Sequence, residues 1–244
     1  MAFVFRFERK AQKRGTGLYY DPLYGYVPLP NYIFQALDLE FYQRLRYVKQ
    51  LGTMYLVYPC ALHTRFDHSV GVAHLAGILH KSLEDKLKQA TEGDKPELNE
   101  MTLAAVQIAA LFHDIGHGPF GHIFEEYCHR SGHSEWSHEA VSEKIIKGEI
   151  GPITHERSQV SNVREIPEFL AKVRATLGAD KEFGQLLTPV NIHRLGKGLP
   201  IEASKALAER YRFLSDIVPI GFGVDRMDYL RRDARISLGL LLAT

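Results

Sequence analysis

The chain has 244 residues, 45% of them hydrophobic, and 30 Lys and Arg balance 29 Asp and Glu for a formal net charge of +1. This is enough apolar chain for one sizeable core, so a single domain over 1–244 is expected, while the near-neutral charge excludes a global electrostatic footprint for nucleic acid. Cys60 and Cys128 stand in no CxxC arrangement and read as buried free thiols, and without a signal-peptide core or a membrane-length apolar run a soluble intracellular protein is expected.

The aromatic, Gly- and Pro-rich residues 3–30 predict a turn or short hairpin lying on a helical body. Asn31 is predicted to cap a helix that carries Ile33, Phe34, Leu37, Phe41, Leu45 and Val48 inward and ends near Gly52. A second helix is predicted from Arg65 to Lys88, with Val72, Leu75, Leu79, Leu83 and Leu87 inward, followed by a polar loop over 91–96. A third starts near Asn99, is strongly apolar from Leu103 to Phe112, and is stopped by Gly116 and the Gly118-Pro119 pair. Further helices are predicted over 120–130, 137–147 with Ser137 as cap, 167–177 with Pro167 at its first position, 201–214 and 225–236. The Pro- and Gly-containing stretch 188–200 reads as a mobile insertion. No sustained β-alternation occurs, so the expected class is all-α with at most a small N-terminal β-hairpin.

Six of the 12 histidines fall between positions 113 and 138, and the run from Leu111 to His122 contains the adjacent pair His113-Asp114 at the end of an apolar helix. An isolated His is more often a core or surface residue than a ligand, and His129, His133, His155 and His193 keep that reading. For His113 the neighbours reverse it, because an imidazole beside a carboxylate is half of a metal site. Imidazoles and carboxylates suit a metal that hydrolyses phosphate esters, leaving positions open for water and substrate oxygen. His68, at the start of the second helix, is a third candidate ligand. The last helix offers a fourth, Asp225, on a face shared with Tyr229 and Arg232 and next to Asp233. That face also fits an ordinary solvated helix with i,i+4 ion pairs.

His68, His113-Asp114 and Asp225, in this order, resemble the H…HD…D ligand set of the HD-domain metal-dependent phosphohydrolases. Within that superfamily the chain is most similar to the deoxynucleoside triphosphate triphosphohydrolases, vertebrate and bacterial dGTPase types included. The likeness runs through Asp21–Gly25, Phe41–Leu51, His63–Gly71, His113–Phe124, Trp136–Glu139 and Val224–Asp233. It implies a compact HD-domain helical bundle in which His68, His113, Asp114 and Asp225 hold one divalent metal. Mn, Fe, Co, Ni and Zn are compatible with such a set, and Mg less so because it prefers oxygen.

The resemblance further implies that His117, His122 and His138 surround the reacting phosphate, with Glu125 where the family usually has Asp. Gln50, Leu51, Arg65, Arg226, Tyr229 and Asp233 match positions around the sugar and phosphates, Arg226 standing for the more usual Lys. Asp38, Gln43 and Arg46 match positions where allosteric members recognise a guanine nucleotide, although a solvated helix face explains them equally well. The implied reaction is attack of water on the α-phosphorus of a dNTP, dGTP among them, releasing deoxynucleoside and inorganic triphosphate. The implied partners are a nucleotide substrate, a GTP or dNTP activator and a second copy of the chain, with neither membrane nor nucleic acid expected. The compartment would be the cytoplasm, or the nucleus in a eukaryote. Relatives continue past the Asp225 helix, so this chain is expected to be shortened at its C-terminus relative to the family. Two alternatives stay open: another HD phosphohydrolase acting on nucleoside monophosphates or signalling nucleotides, and a non-catalytic module binding nucleotides or single-stranded nucleic acid.

Overall fold

The computed structural model describes residues 16–89, 95–150, 163–180, 182–219 and 221–239. It opens with an antiparallel hairpin of β1 (Thr16–Asp21) and β2 (Gly25–Pro30), in which Asp21 pairs with Gly25. Asp21 shapes the turn, its Oδ1 accepting from the amides of Leu23 at 2.7 Å and Tyr24 at 3.1 Å, and Gly25 leaves it with a φ of 72°.

The α-helices among the described residues are α1 (Asn31–Leu37), α2 (Glu40–Gln43), α3 (Arg65–Gln89), α4 (Glu100–Phe112), α5 (His122–Arg130), α6 (His138–Lys147), α7 (Glu165–Thr176), α8 (Pro189–Gly196), α9 (Lys205–Arg210) and α10 (Val224–Leu238). The class is therefore all-α, with one two-stranded sheet among the described residues. No helix among them is long and apolar enough to cross a membrane.

The centre of the bundle is α4. Apart from Leu103 every residue from Met101 to Phe112 is buried, as a helix apolar on all sides must be. Its start is locked by a reciprocal cap, Asn99 accepting from the amides of Met101 and Thr102 while Thr102 Oγ1 accepts from the amide of Asn99. Helices α3 and α8 pack on α4, and α10 packs on α3. Gly71 makes the last crossing possible, because a Cβ there would overlap Asp228 Oδ1 and Arg232 Nη2. Gly71→Ala is expected to destabilise the fold by about 1–3 kcal/mol, the usual cost of overpacking, read as a lower urea midpoint with an unchanged slope.

Several expectations need correction. The helix expected over 31–52 is broken at Leu39, whose φ of −65° and ψ of 139° are extended, and Pro30 rather than Asn31 takes the cap position of α1. The break is held from a distance: the amides of Glu40 and Phe41 donate to the Glu165 carboxylate of α7 at 2.8 and 3.4 Å. The stretch 188–200 contains α8 rather than a mobile insertion. Thr188 caps it, Pro189 enters at the first turn and Ile192 and Leu195 are buried, so its Pro and Gly are start and stop signals of a short helix. Helix α7 begins at Glu165, two residues before Pro167, and the helix expected over 201–214 is α9 followed by a 3-10 turn over Arg212–Asp216. Cys128 is buried but Cys60 is exposed. Residues 3–15, most of the 91–96 loop and His155 lie outside the described residues.

Candidate metal centre

Three helix ends converge at the site. His113 is the C-cap of α4 with Asp114 next to it, His68 lies in the first turn of α3, and Asp225 lies in the first turn of α10. His68 Nε2 is 3.0 Å from Asp225 Oδ1, and His113 Nε2 is 3.5 Å from both Asp225 Oδ1 and Asp114 Oδ2. The donor atoms of His68, His113 and Asp225 lie within 4.8 Å of one another, all on buried residues. Arg65 Nη1 donates to Asp114 Oδ2.

The tautomers are set from behind. His113 Nδ1 donates to Ala110 O at 2.7 Å, which leaves Nε2 facing the carboxylates, buried and without a hydrogen-bond partner. His68 Nδ1 is occupied by Asp228 Oδ2 at 2.8 Å, so its Nε2 also faces the centre. An imidazole fixed through one nitrogen with the other aimed at carboxylates is the arrangement a metal requires. Two imidazoles and the Asp225 carboxylate, with Asp114 next to them, suit a divalent ion of the transition series.

At His68, Asp114 and Asp225 burial opposes charge and is outweighed. At His68 the hydrogen bonds and charges of Asp225 and Asp228 raise the imidazole to about 9. Burial pushes Asp114 up, but the charges of His113 and Arg65 and a hydrogen bond from His117 hold it well below the usual carboxylate range. Asp225 is likewise pushed up by burial and held down more strongly by His113 and His68.

Asp228, a residue absent from the expected set, ties the centre to the rest of the fold. Besides His68 it accepts from Arg232 Nε at 2.8 Å, Arg232 Nη2 at 2.9 Å and the Tyr24 hydroxyl at 2.8 Å. Arg232 Nη2 also donates to Asp21 Oδ2 at 2.9 Å, so the hairpin turn, α10 and α3 share one buried network. Its spacing was a usable signal, since Asp228 lies three residues after Asp225 and four before Arg232 on one helix face.

Beside the centre opens a cavity of about 600 Å³, within the range of small-molecule sites. Gln50, Leu51, Arg65, Tyr229, His117, His122 and His138 line it together with His113, Asp114 and Asp225. The rings of His117 and His138 stack at 3.9 Å, and His122 stands edge-on to them at 4.9 and 5.2 Å. Glu125 Oε2 is 2.8 Å from His138 Nδ1 and 3.5 Å from His122 Nδ1, which places this acid behind the histidines. Burial lowers His117 to about 3, which keeps it neutral at pH 7, and also lowers His138. Arg44 holds the His113–His117 loop by donating to Ile115 O and, at 2.6 Å, to His117 O.

Other expected residues lie elsewhere. Arg226 is exposed, with Nη1 3.5 Å from Gly221 O, and is not part of the cavity lining. Asp233 is bonded to His63 Nε2 at 2.8 Å and does not line the cavity. Around α2, Gln43 donates to Leu37 O at 2.6 Å, and Arg46 donates to Gln43 at 2.8 Å and lies over the Phe66 ring, with Asp38 at the C-cap of α1. His129 and His133 make only surface contacts, with Trp136 O and Glu135. Conversely Glu139 and Lys197 line the cavity although neither was among the expected ligands. Glu139 sits next to His138 in sequence, whereas Lys197 was hidden in the stretch read as an insertion.

The helical bundle thus closes a His/Asp cluster beside a cavity. The HD domain family matches residues 65–168, the stretch that carries His68, His113 and Asp114. The chain's relatives include the deoxynucleoside triphosphate triphosphohydrolase SAMHD1 of Danio rerio, 33% identical over 220 residues that cover 87% of this chain and 32% of the relative. The Homo sapiens SAMHD1 is 34% identical over 220 residues, with the same 87% and 32% coverage. The uncharacterized protein YwfO of Bacillus subtilis is 32% identical over 217 residues, covering 88% of this chain and 39% of its own length. The chain thus spans about a third of the length of the SAMHD1 relatives it matches.

Proposed function

We propose that the protein hydrolyses deoxynucleoside triphosphates, dGTP among them, to deoxynucleoside and inorganic triphosphate, using one divalent metal held by His68, His113, Asp114 and Asp225. The observation that carries this reading is the buried, unpartnered Nε2 of His113 facing two carboxylates and a second imidazole at the wall of a nucleotide-sized cavity. The SAMHD1 relatives supply the substrate class. A divalent ion bound there would polarise a phosphate oxygen and make water a better nucleophile.

The chain's own residues do the rest. Arg65, anchored through Nη1 by Asp114, offers its remaining donors to the phosphate chain; its Nε is buried without a partner. Gln50, Leu51 and Tyr229 border the sugar and base. The water oxygen bonds to the α-phosphorus as the bond to the 5′ oxygen breaks, and a proton must reach that oxygen. His122 and His138, which share Glu125, are placed to deliver it. His117, stacked on His138, keeps that ring in place. The same proposal assigns Asp38, Gln43 and Arg46 to an activating nucleotide and takes 1–244 as one HD domain that pairs with a second copy.

The test is incubation of the purified protein with each dNTP and Mn²⁺ or Mg²⁺, with and without GTP, resolving triphosphate from pyrophosphate and phosphate. Deoxynucleoside with intact triphosphate is expected. Pyrophosphate with deoxynucleoside monophosphate would reject the mechanism, and nucleotide binding with no product under any condition would favour a binding module.

A further inference from the structure

We infer that Lys197 is a phosphate-binding residue of the cavity and grips the substrate's anionic chain together with Arg65. The inference rests on the reading of the cavity as a triphosphate-ester site and adds a residue to it. Lys197 ends α8, its amide bonding to the carbonyls of His193 and Arg194, and a cation is favoured at that negative end of the helix dipole. Its position is fixed by the residue before it. Gly196 lies against the end of α4, where a Cβ would come within 3.3 Å of Ala109 O and 3.6 Å of His113 Cα. The same helix contact that seats α8 therefore delivers Lys197 to the cavity wall beside the His-Asp pair.

The side chain is only 18% exposed, yet the one ion pair it makes among the described residues is long, with Nζ 3.4 Å from Glu139 Oε1. A charge-assisted pair at full strength is closer to ~2.8 Å. An ammonium has three donors, and among the described residues the Glu139 contact engages one of them. Its charge is felt in the cavity, because after burial it is among the influences that hold His138 low.

Charge balance points the same way. The cavity wall carries Asp114, Asp225 and Glu139, while its cations are Arg65 and Lys197. A triphosphate ester adds several negative charges, and Arg65 is already engaged by Asp114. Arg226, exposed and turned to Gly221 O, does not line this wall. Lys197 is the cation in position, and Glu139 holds it at the wall until an anion with more charge replaces the carboxylate.

The experiment is calorimetric titration of inorganic triphosphate into the metal-loaded full chain, comparing the native protein with Lys197→Gln, Lys197→Arg and Glu139→Gln, with metal content and thermal melting recorded for each. Lys197→Gln is expected to weaken triphosphate about tenfold to a hundredfold at unchanged metal content, the size of one lost charge-assisted hydrogen bond. Lys197→Arg should stay within a few-fold of native, and Glu139→Gln should tighten binding severalfold. With dNTP as substrate, Lys197→Gln should raise KM more than it lowers kcat. Equal affinities for native and Lys197→Gln protein would overturn the assignment while leaving the dNTP reading intact. If the native, metal-loaded protein binds no triphosphate and hydrolyses no dNTP, the functional reading fails and the assignment falls with it.

Discussion

Replacing His113 by Ala is expected to reduce bound metal from about one ion per chain to background and to lower dNTP turnover at least ~10³-fold, the several kcal/mol that metal polarisation contributes to such a transition state. The reason lies in the geometry. His113 Nε2 is buried with no partner of its own, and it is the donor within 3.5 Å of both Asp114 and Asp225. Without it the two buried carboxylates lose the first of the influences that keep them ionised. Elemental analysis of the purified variant, beside the product assay, checks this directly. Native metal content with turnover within tenfold of native would sink the proposed ligand role of His113.

The second large effect is expected at Asp228. Asp228→Asn should destabilise the fold by about 3–5 kcal/mol, the cost of removing one partner from a buried ion pair, because Arg232 is wholly buried and among the described residues would keep only Asp21 as a charged partner. It should also weaken metal binding about 10- to 100-fold, since the carboxylate that orients His68 becomes an amide. The pH dependence has a definite sign. Burial pushes Asp228 up, but hydrogen bonds from His68 and Arg232 outweigh it and hold its carboxyl below the usual range. The folded state thus binds the proton less readily than the unfolded chain. The stabilisation from this group is complete above the unfolded value of about 4 and is lost as pH falls through the lower folded value. Urea melts of native and Asp228→Asn protein should therefore differ most above pH 5 and converge below pH 4. A constant difference across that range would remove Asp228 from the acid response.

Local signals carried much of this structure. The boundaries of α3, α4 and α6 were legible because apolar spacing, the Asn99 and Ser137 caps and the Gly116 stop act within a few residues of where they are read. The histidines and acids around the cavity were legible as types in a fixed order, which is how a resemblance is recognised. The errors fell where a distant partner decides. The break after Leu37 depends on Glu165, and α8 is too short to show a convincing period even though its cap and its Pro are present. Arg226 and Lys197 illustrate the same limit: both are cations near turns, and nothing local tells which one faces the cavity.

The amino-acid order alone therefore settles the helical class, the main helix spans and the presence of an imidazole-carboxylate set, because periodicity, capping and residue chemistry are properties of short stretches. The fold had to decide the rest. Asp228 comes to His68 across 160 residues, Arg65 is bound to Asp114 rather than free, and Gly196 against α4 puts Lys197 at the cavity wall. Each of these depends on which helices touch and on what is buried between them, and that is set by packing of the whole core, to which no single segment holds the key.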